Sequence, residues 1–331
     1  MQQDVASTAA CPQPEESLET LEGCMQQSSL WRILTRFQSI ADAHPDAAGH
    51  PNRDSWTPGY KASVQYVAEE MRRAGYHVVV QSYPLLRTIT DYNVIADSPF
   101  GNSRHVVVID AHLDSIDGAG MLDNASGSTT ILAIALNLAK THTRNKLRFI
   151  WFGGEEIGLA GSFYYTRHLR PSELQRIAFD VDADDTATPN FDYLVKDPKD
   201  YGEAASPKTV RASQFGNALF YAFFKRAGVP SHPANFGRFL TGSTDSYPFA
   251  IAGVPDTGIL TGQDCCKSAW EKQLWGGYLG NYEGTVPGTD GGCADYPGRW
   301  CDNLSNNDPA VLELASKATA YVTFHLANHQ F

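Results

Sequence analysis

The sequence predicts an α/β fold, a sandwich of helix, sheet and helix. Three observations predict it. Arg104 to Ala111 is a near-continuous β-branched run, as expected of a strand buried on both faces. Such apolar runs alternate with segments whose apolar residues fall at helical spacing. The chain has 331 residues, enough to bury most of its apolar surface without staples.

The elements follow in order. Residues 1–27 are polar and without period, an N-terminal arm. From Leu30 to Ala43 the apolar residues Leu30, Ile33, Leu34, Phe37, Ile40 and Ala41 keep helical spacing. Trp56 to Tyr60 reads as a turn, Lys61 to Ala74 as a helix, and Gly75 as its stop. Strands are expected at 77–83, 93–96, 104–111 and 146–152. A small-residue helix covers 126–139. Helices follow at 158–169, 171–177 and 211–227, with strands at 177–181, 191–195 and 254–260. Residues 262–300 are Gly-rich with few periodic apolars, a lid-like excursion of the kind that usually carries function. Pro309 to Ala327 closes the chain as a helix. No internal boundary stands out, so residues 28–331 read as a single domain.

Composition excludes several classes. Hydrophobic residues make up 42% and charged residues 19%, and the formal charge is −11. An acidic surface disfavours nucleic acid and anionic membrane as partners. No apolar run is long enough for a membrane span. The expected state is a monomer, and the expected partner a small molecule, which the resemblance given below implies to be a peptide or aminoacyl substrate. Met1-Gln2-Gln3 before a polar stretch looks like a mature secreted or periplasmic chain, its signal peptide removed. Of the six cysteines, Cys11 and Cys24 lie in the arm, Cys293 and Cys301 bracket a Gly- and Pro-rich loop, and Cys265 adjoins Cys266. No Cys-x-x-Cys spacing occurs. Disulfides in an oxidising compartment suit this usage better than a cysteine metal site, and sequence does not choose the connectivity.

The chemistry sits where strands end. His112 and Asp114 follow the strand 104–111, Asp123-Asn124 precedes a helix, and Glu155-Glu156 follows the strand 146–152. A further carboxylate stands near Asp184, where Asp180, Asp182 and Asp185 compete for the same role. Ligands in open α/β sheets bind at the carboxyl ends of strands, so these side chains should meet in one crevice. Adjacent glutamates point in different directions. One can bind a metal while the other takes a proton from a bound water. Asp114, two residues past His112, is placed to orient it.

At these residues the chain resembles the secreted co-catalytic zinc aminopeptidases, whose relatives include the glutaminyl cyclases. The resemblance runs from about Leu30 to the C-terminus. It is carried by Thr57 to Glu69, the His112 and Asp123 motifs, Glu155-Glu156-Ile157-Gly158-Leu159-Ala160-Gly161-Ser162, and Gly253-Val254-Pro255. It implies a mixed, mostly parallel sheet of about eight strands in a three-layer sandwich of the zinc-peptidase (phosphorylase/hydrolase-like) type. The implied activity is hydrolysis of N-terminal peptide bonds. By position, His112 and Asp184 would bind the first zinc, Asp123 would bridge two, Glu156 would bind the second, and Glu155 would be the general base. Asp245 matches a supporting position. The family's last ligand is a His shortly before a Cys-Asp pair. Here the pair is Cys301-Asp302 and the position holds Gly298, and no histidine lies between His232 and His325. The resemblance therefore implies one tightly bound zinc with a second site weakened, unless Asp290 or Asp295 substitutes. A single-zinc acyl transferase or cyclase, and a non-catalytic relative, are the alternatives.

Overall fold

Strands His77–Leu86 (β1), Ile89–Asp97 (β2), Asn102–His112 (β3), Asn145–Phe152 (β4), Ile177–Ala183 (β5), Leu194–Lys196 (β6), His232–Ala234 (β7) and Asp256–Leu260 (β8) form one sheet in the computed structural model. The residues described are 17–86, 89–202, 204–234, 244–262, 267–282 and 301–331. The strand order is β1-β2-β4-β3-β5-β8-β6-β7. The centre, β4-β3-β5-β8, is parallel. The antiparallel β1-β2 pair flanks it on one side, and β6 runs antiparallel to β8 on the other. This is the mixed, mostly parallel eight-stranded sheet that the resemblance implies.

Among the described residues ten α-helices accompany the sheet: Leu18–Cys24 (α1), Gln27–Ala43 (α2), Pro58–Ala74 (α3), Ala125–Leu138 (α4), Ala160–His168 (α5), Pro171–Leu174 (α6), Pro207–Ala227 (α7), Ser246–Ile251 (α8), Ala269–Trp275 (α9) and Pro309–Asn328 (α10). Strand alternation sorts them into two layers. Val107, Ile109 and Ala111 of β3 face the larger core with residues of α2, α3, α4, α7 and α10. Val106 and Val108 face the smaller core with Tyr165 of α5 and Phe249 of α8.

Local chemistry fixes the ends. Thr57 caps α3 by accepting from Tyr60 N, Pro58 sits in the first turn, and Gly75 closes the helix in the left-handed region. Asn124 caps α4 by accepting from Gly127 N, which starts that helix beside Asp123. Asp308 caps α10 through the N–H groups of Ala310 and Val311.

Several sequence expectations need correction. Residues 18–24, read as polar arm, form α1 and bury Leu21 and Cys24. Burying Leu21 and Cys24 docks a segment too short to display a period. The expected strand 191–195 starts later, at Leu194, because Asp192 and Tyr193 run into the edge without pairing as strand. β7, α8 and α9 were not foreseen, each being too short for periodicity to register.

Candidate metal centre

β3 delivers His112 as its last residue, fully paired with Phe152 at the end of β4. β5 ends at Ala183, one residue before Asp184. The loop 113–123 carries Asp114 and Asp123 back to the start of α4. Three chain segments thus bring His112, Asp123 and Asp184 together, with one ligand-type atom of each within 4.8 Å of the others. All three side chains are buried. Asp180, Asp182 and Asp185 do not join the group. Asp182 faces Lys196 Nζ at 2.8 Å instead.

The donor chemistry of the cluster tests whether it fits a metal. His112 Nδ1 lies 3.2 Å from the backbone oxygen of Asp114. A carbonyl only accepts, so Nδ1 carries a proton, and in the neutral form of the ring a lone pair points outward at Nε2. That Nε2 sits 2.8 Å from Asp123 Oδ1 and 3.4 Å from Asp184 Oδ1. Two buried carboxylates crowd this nitrogen, an arrangement that calls for a positive charge, either a proton on the ring or a cation. Burial acts to lower the His112 pKa, yet the Asp123 and Glu155 carboxylates and the contact with Asp114 drive it well upward. The charges that draw a proton to this ring would draw a metal ion. One His and two carboxylates is a three-ligand set of the kind that binds zinc with a position left open.

Glu155 and Glu156 stand on the turn after β4, half-buried and outside the three-residue group. Burial pushes the Glu155 carboxyl well above the usual carboxylate range. His112 opposes the shift, and Asp245, Asp184 and Asp123 add to it. Asp114 ties the two halves together. Its Oδ1 is 3.6 Å from His112 Nδ1 and accepts from the Glu155 backbone N–H at 3.2 Å. Its Oδ2 accepts from Ser55 Oγ at 3.0 Å, and Ser55 in turn accepts from Gly154 N. Asp245 is buried near the cluster, its pKa raised to about 8 chiefly by burial, with His112 opposing.

Two supports escaped the sequence reading. Arg53 is fully buried and donates to the carbonyls of Ala119, Leu113 and Gly120 at 2.7, 2.8 and 2.6 Å. It therefore holds the loop that presents Asp114 and Asp123. Asp302 accepts from the N–H groups of Leu122 and Asp123 at 2.7 and 3.1 Å. The Cys301-Asp302 pair was read only as a landmark for a missing histidine. Its carboxylate fixes the backbone of Asp123. Gly298, Asp290 and Asp295 lie outside the described residues, as do Cys11, Cys265, Cys266 and Cys293.

The beginning of the Gly-rich excursion is described as far as Tyr282. Lys267 and Gly280 bridge as a short antiparallel pair, and Asn190 N donates to Tyr282 O. Trp270 and Trp275 pack edge to face, and both rings lie against His232.

The chain resembles known proteins in sequence and in fold. A model described as peptidase family M28 matches residues 93–323. The chain is 34% identical over 278 residues to leupeptin-inactivating enzyme 1 of Streptomyces exfoliatus, covering 83% of this chain and 57% of that protein. It is 33% identical over 255 residues to an aminopeptidase of Pseudomonas aeruginosa, covering 76% and 44%. The chain spans about half the length of the curated relatives it matches. Among solved structures, BSAP, a zinc aminopeptidase from Bacillus subtilis, superposes with a TM-score of 0.68 at 14% identity, over 92% of this chain and 96% of that one. A glutaminyl cyclase from Porphyromonas gingivalis gives 0.61 at 15% identity, over 90% and 97%. With a family match spanning most of the chain and a sheet of the same architecture, this protein belongs to peptidase family M28.

Proposed function

We propose that the chain is a zinc-dependent aminopeptidase, hydrolysing the first peptide bond of peptides or aminoacyl amides. One observation carries the reading: His112 Nε2, Asp123 and Asp184 turn acceptor atoms toward one another in a buried cluster with Glu155 beside it. In this reading His112, Asp123 and Asp184 hold one tightly bound zinc. Glu156 contributes to a second, weaker position that lacks a histidine where Gly298 stands. Zinc, when bound, polarises the scissile carbonyl and acidifies the attacking water. Glu155 takes the proton from that water and returns it to the departing amine. Burial raises its pKa above the ordinary carboxylate range, which makes it a stronger proton acceptor than an exposed glutamate. Asp114 is a positioning residue, orienting the His112 ring and the Glu155 backbone.

The excursion 262–300 is our proposed lid over the substrate side. Its anchorage at Asn190, six residues beyond Asp184, supports this. An oxidising, secreted setting is part of the same reading. Cys24 and Cys301 carry no free thiol, and no helix among the described residues is long and apolar enough to cross a membrane. A single-zinc cyclase of the glutaminyl cyclase kind is the second reading, favoured by the glycine at position 298. The test is the zinc content of the purified chain together with two substrates. Release of amino acid from leucine p-nitroanilide supports the peptidase. Cyclisation of an N-terminal glutaminyl peptide without amide hydrolysis supports the second reading. A metal-free chain inert in both assays overturns both.

A further inference from the structure

We propose that Asp192, His232 and Glu271 form a second, structural site for a divalent transition ion of the zinc class, sharing no residue with the centre at His112. The three residues each offer one ligand atom within 4.8 Å of the others. They come from three separate places: Asp192 from the run into β6, His232 from the start of β7, and Glu271 from α9. The mutual geometry repeats the logic of the first cluster. His232 Nδ1 lies 2.7 Å from Pro233 O, so the proton sits on Nδ1 and Nε2 holds a lone pair. That Nε2 is buried without a hydrogen-bond partner and faces Glu271 Oε1 at 3.6 Å. The unpartnered Nε2 and the carboxylate oxygens of Asp192 and Glu271 converge on one another, with Tyr282 Oη and Lys267 Nζ reaching Asp192 from the side.

The surroundings suit an ion held with moderate affinity. Asp192 is fully buried, and its Oδ2 accepts from Tyr282 Oη at 3.0 Å, which fixes the carboxylate. Such outer contacts orient a ligand. Lys267 Nζ lies 3.1 Å from Asp192 Oδ1. Two carboxylates, one ammonium and a neutral imidazole leave one net negative charge for a divalent cation. Glu271 keeps Oε2 on the Ser268 N–H as half of a capping box, leaving Oε1 toward His232. The indoles of Trp270 and Trp275, 5.0 and 5.2 Å from the His232 ring, form apolar walls. Mixed nitrogen and carboxylate donors favour zinc or nickel over calcium or magnesium. An ion here would fasten α9 to the sheet edge and so fix the near end of the excursion.

The experiment uses the full chain and Zn2+ as probe. Equilibrium dialysis with metal analysis should find one zinc more in the wild type than in His232→Gln or in Glu271→Gln. In parallel, Ni2+ should quench tryptophan fluorescence saturably, with apparent affinity reduced at least ~10-fold in His232→Gln and retained in His112→Gln. Circular dichroism checks folding. Should His232→Gln unfold, Glu271→Gln carries the comparison from a side chain partly open to solvent. Equal zinc in the wild type and both variants overturns the site, as does quenching that depends on His112 and ignores His232. Either result would leave the proposed catalytic centre untouched, since that reading rests on the zinc lost with His112.

Discussion

Replacing Arg53 gives a stability change that the geometry lets one size in advance. Its guanidinium makes three bonds to the carbonyls of Leu113, Ala119 and Gly120. The side chain is fully buried and its charge lies 5.2 Å from the Phe37 ring centroid. A hydrogen bond to a charged group contributes about 1.5–3 kcal/mol, and a buried carbonyl left without a donor costs about 1–3 kcal/mol. Arg53→Met keeps much of the volume and orphans three carbonyls. Non-additivity and the relief of a buried charge reduce the simple sum, leaving a loss of about 3–5 kcal/mol. Arg53→Lys keeps a charge, but one ammonium cannot reproduce a planar fork, and about 2 kcal/mol should go. Urea unfolding followed by fluorescence gives the free energies. Because the same loop presents Asp123, zinc affinity should fall with stability, by roughly 10-fold or more for Arg53→Met. A loss under about 1 kcal/mol with unchanged zinc affinity would refute the claim that Arg53 holds the loop.

Further outcomes follow from other contacts. Glu155→Gln should lower amide hydrolysis by roughly 10²–10⁴-fold while zinc content stays at the wild-type level; near-normal turnover would remove Glu155 from its proposed role. Gly127→Ala would set a Cβ 2.1 Å from Ala183 O and 2.4 Å from Asn124 Oδ1. It should push α4 from the end of β5, costing about 2–4 kcal/mol and weakening zinc binding, read by thermal unfolding and metal analysis. His325 has its pKa lowered by partial burial and by Arg226, with Glu22 opposing. The folded state therefore resists protonating it, so its contribution is complete above the unfolded value near ~6.5 and erodes as pH falls below that. Solvent screening keeps the effect under about 1 kcal/mol. His325→Gln should flatten the decline in melting temperature between pH 7.5 and 5; an unchanged slope would show that another group governs it.

Residues with strong local signatures were the legible ones. β3 declared itself through its β-branched run, and α3 through Thr57, Pro58 and Gly75 at its two ends. His112, Asp123 and Asp184 were readable because each follows or precedes a strongly patterned element, and the structure brings all three together. Choosing Asp184 over its acidic neighbours needed more than pattern. The register of β5 sends Asp182 to Lys196 and leaves Asp184 beyond the strand end. Arg53 and Asp302 were invisible because their partners are backbone groups far along the chain, and no side-chain motif records a carbonyl. α8, α9 and β7 escaped for a different reason: in six or seven residues or fewer, a period of 3.6 or 2 has too few repeats to register.

Asp302 meets the N–H groups of Leu122 and Asp123, while Tyr282 is moored to Asn190 and Asp192. The described residues on either side of the intervening stretch are thereby each held by the folded body of the chain. Evolution can rewrite that stretch, lengthening it or changing its chemistry, without loosening either berth. A chimera that grafts a relative's sequence between these two positions should thus inherit a new substrate preference on an undisturbed chassis.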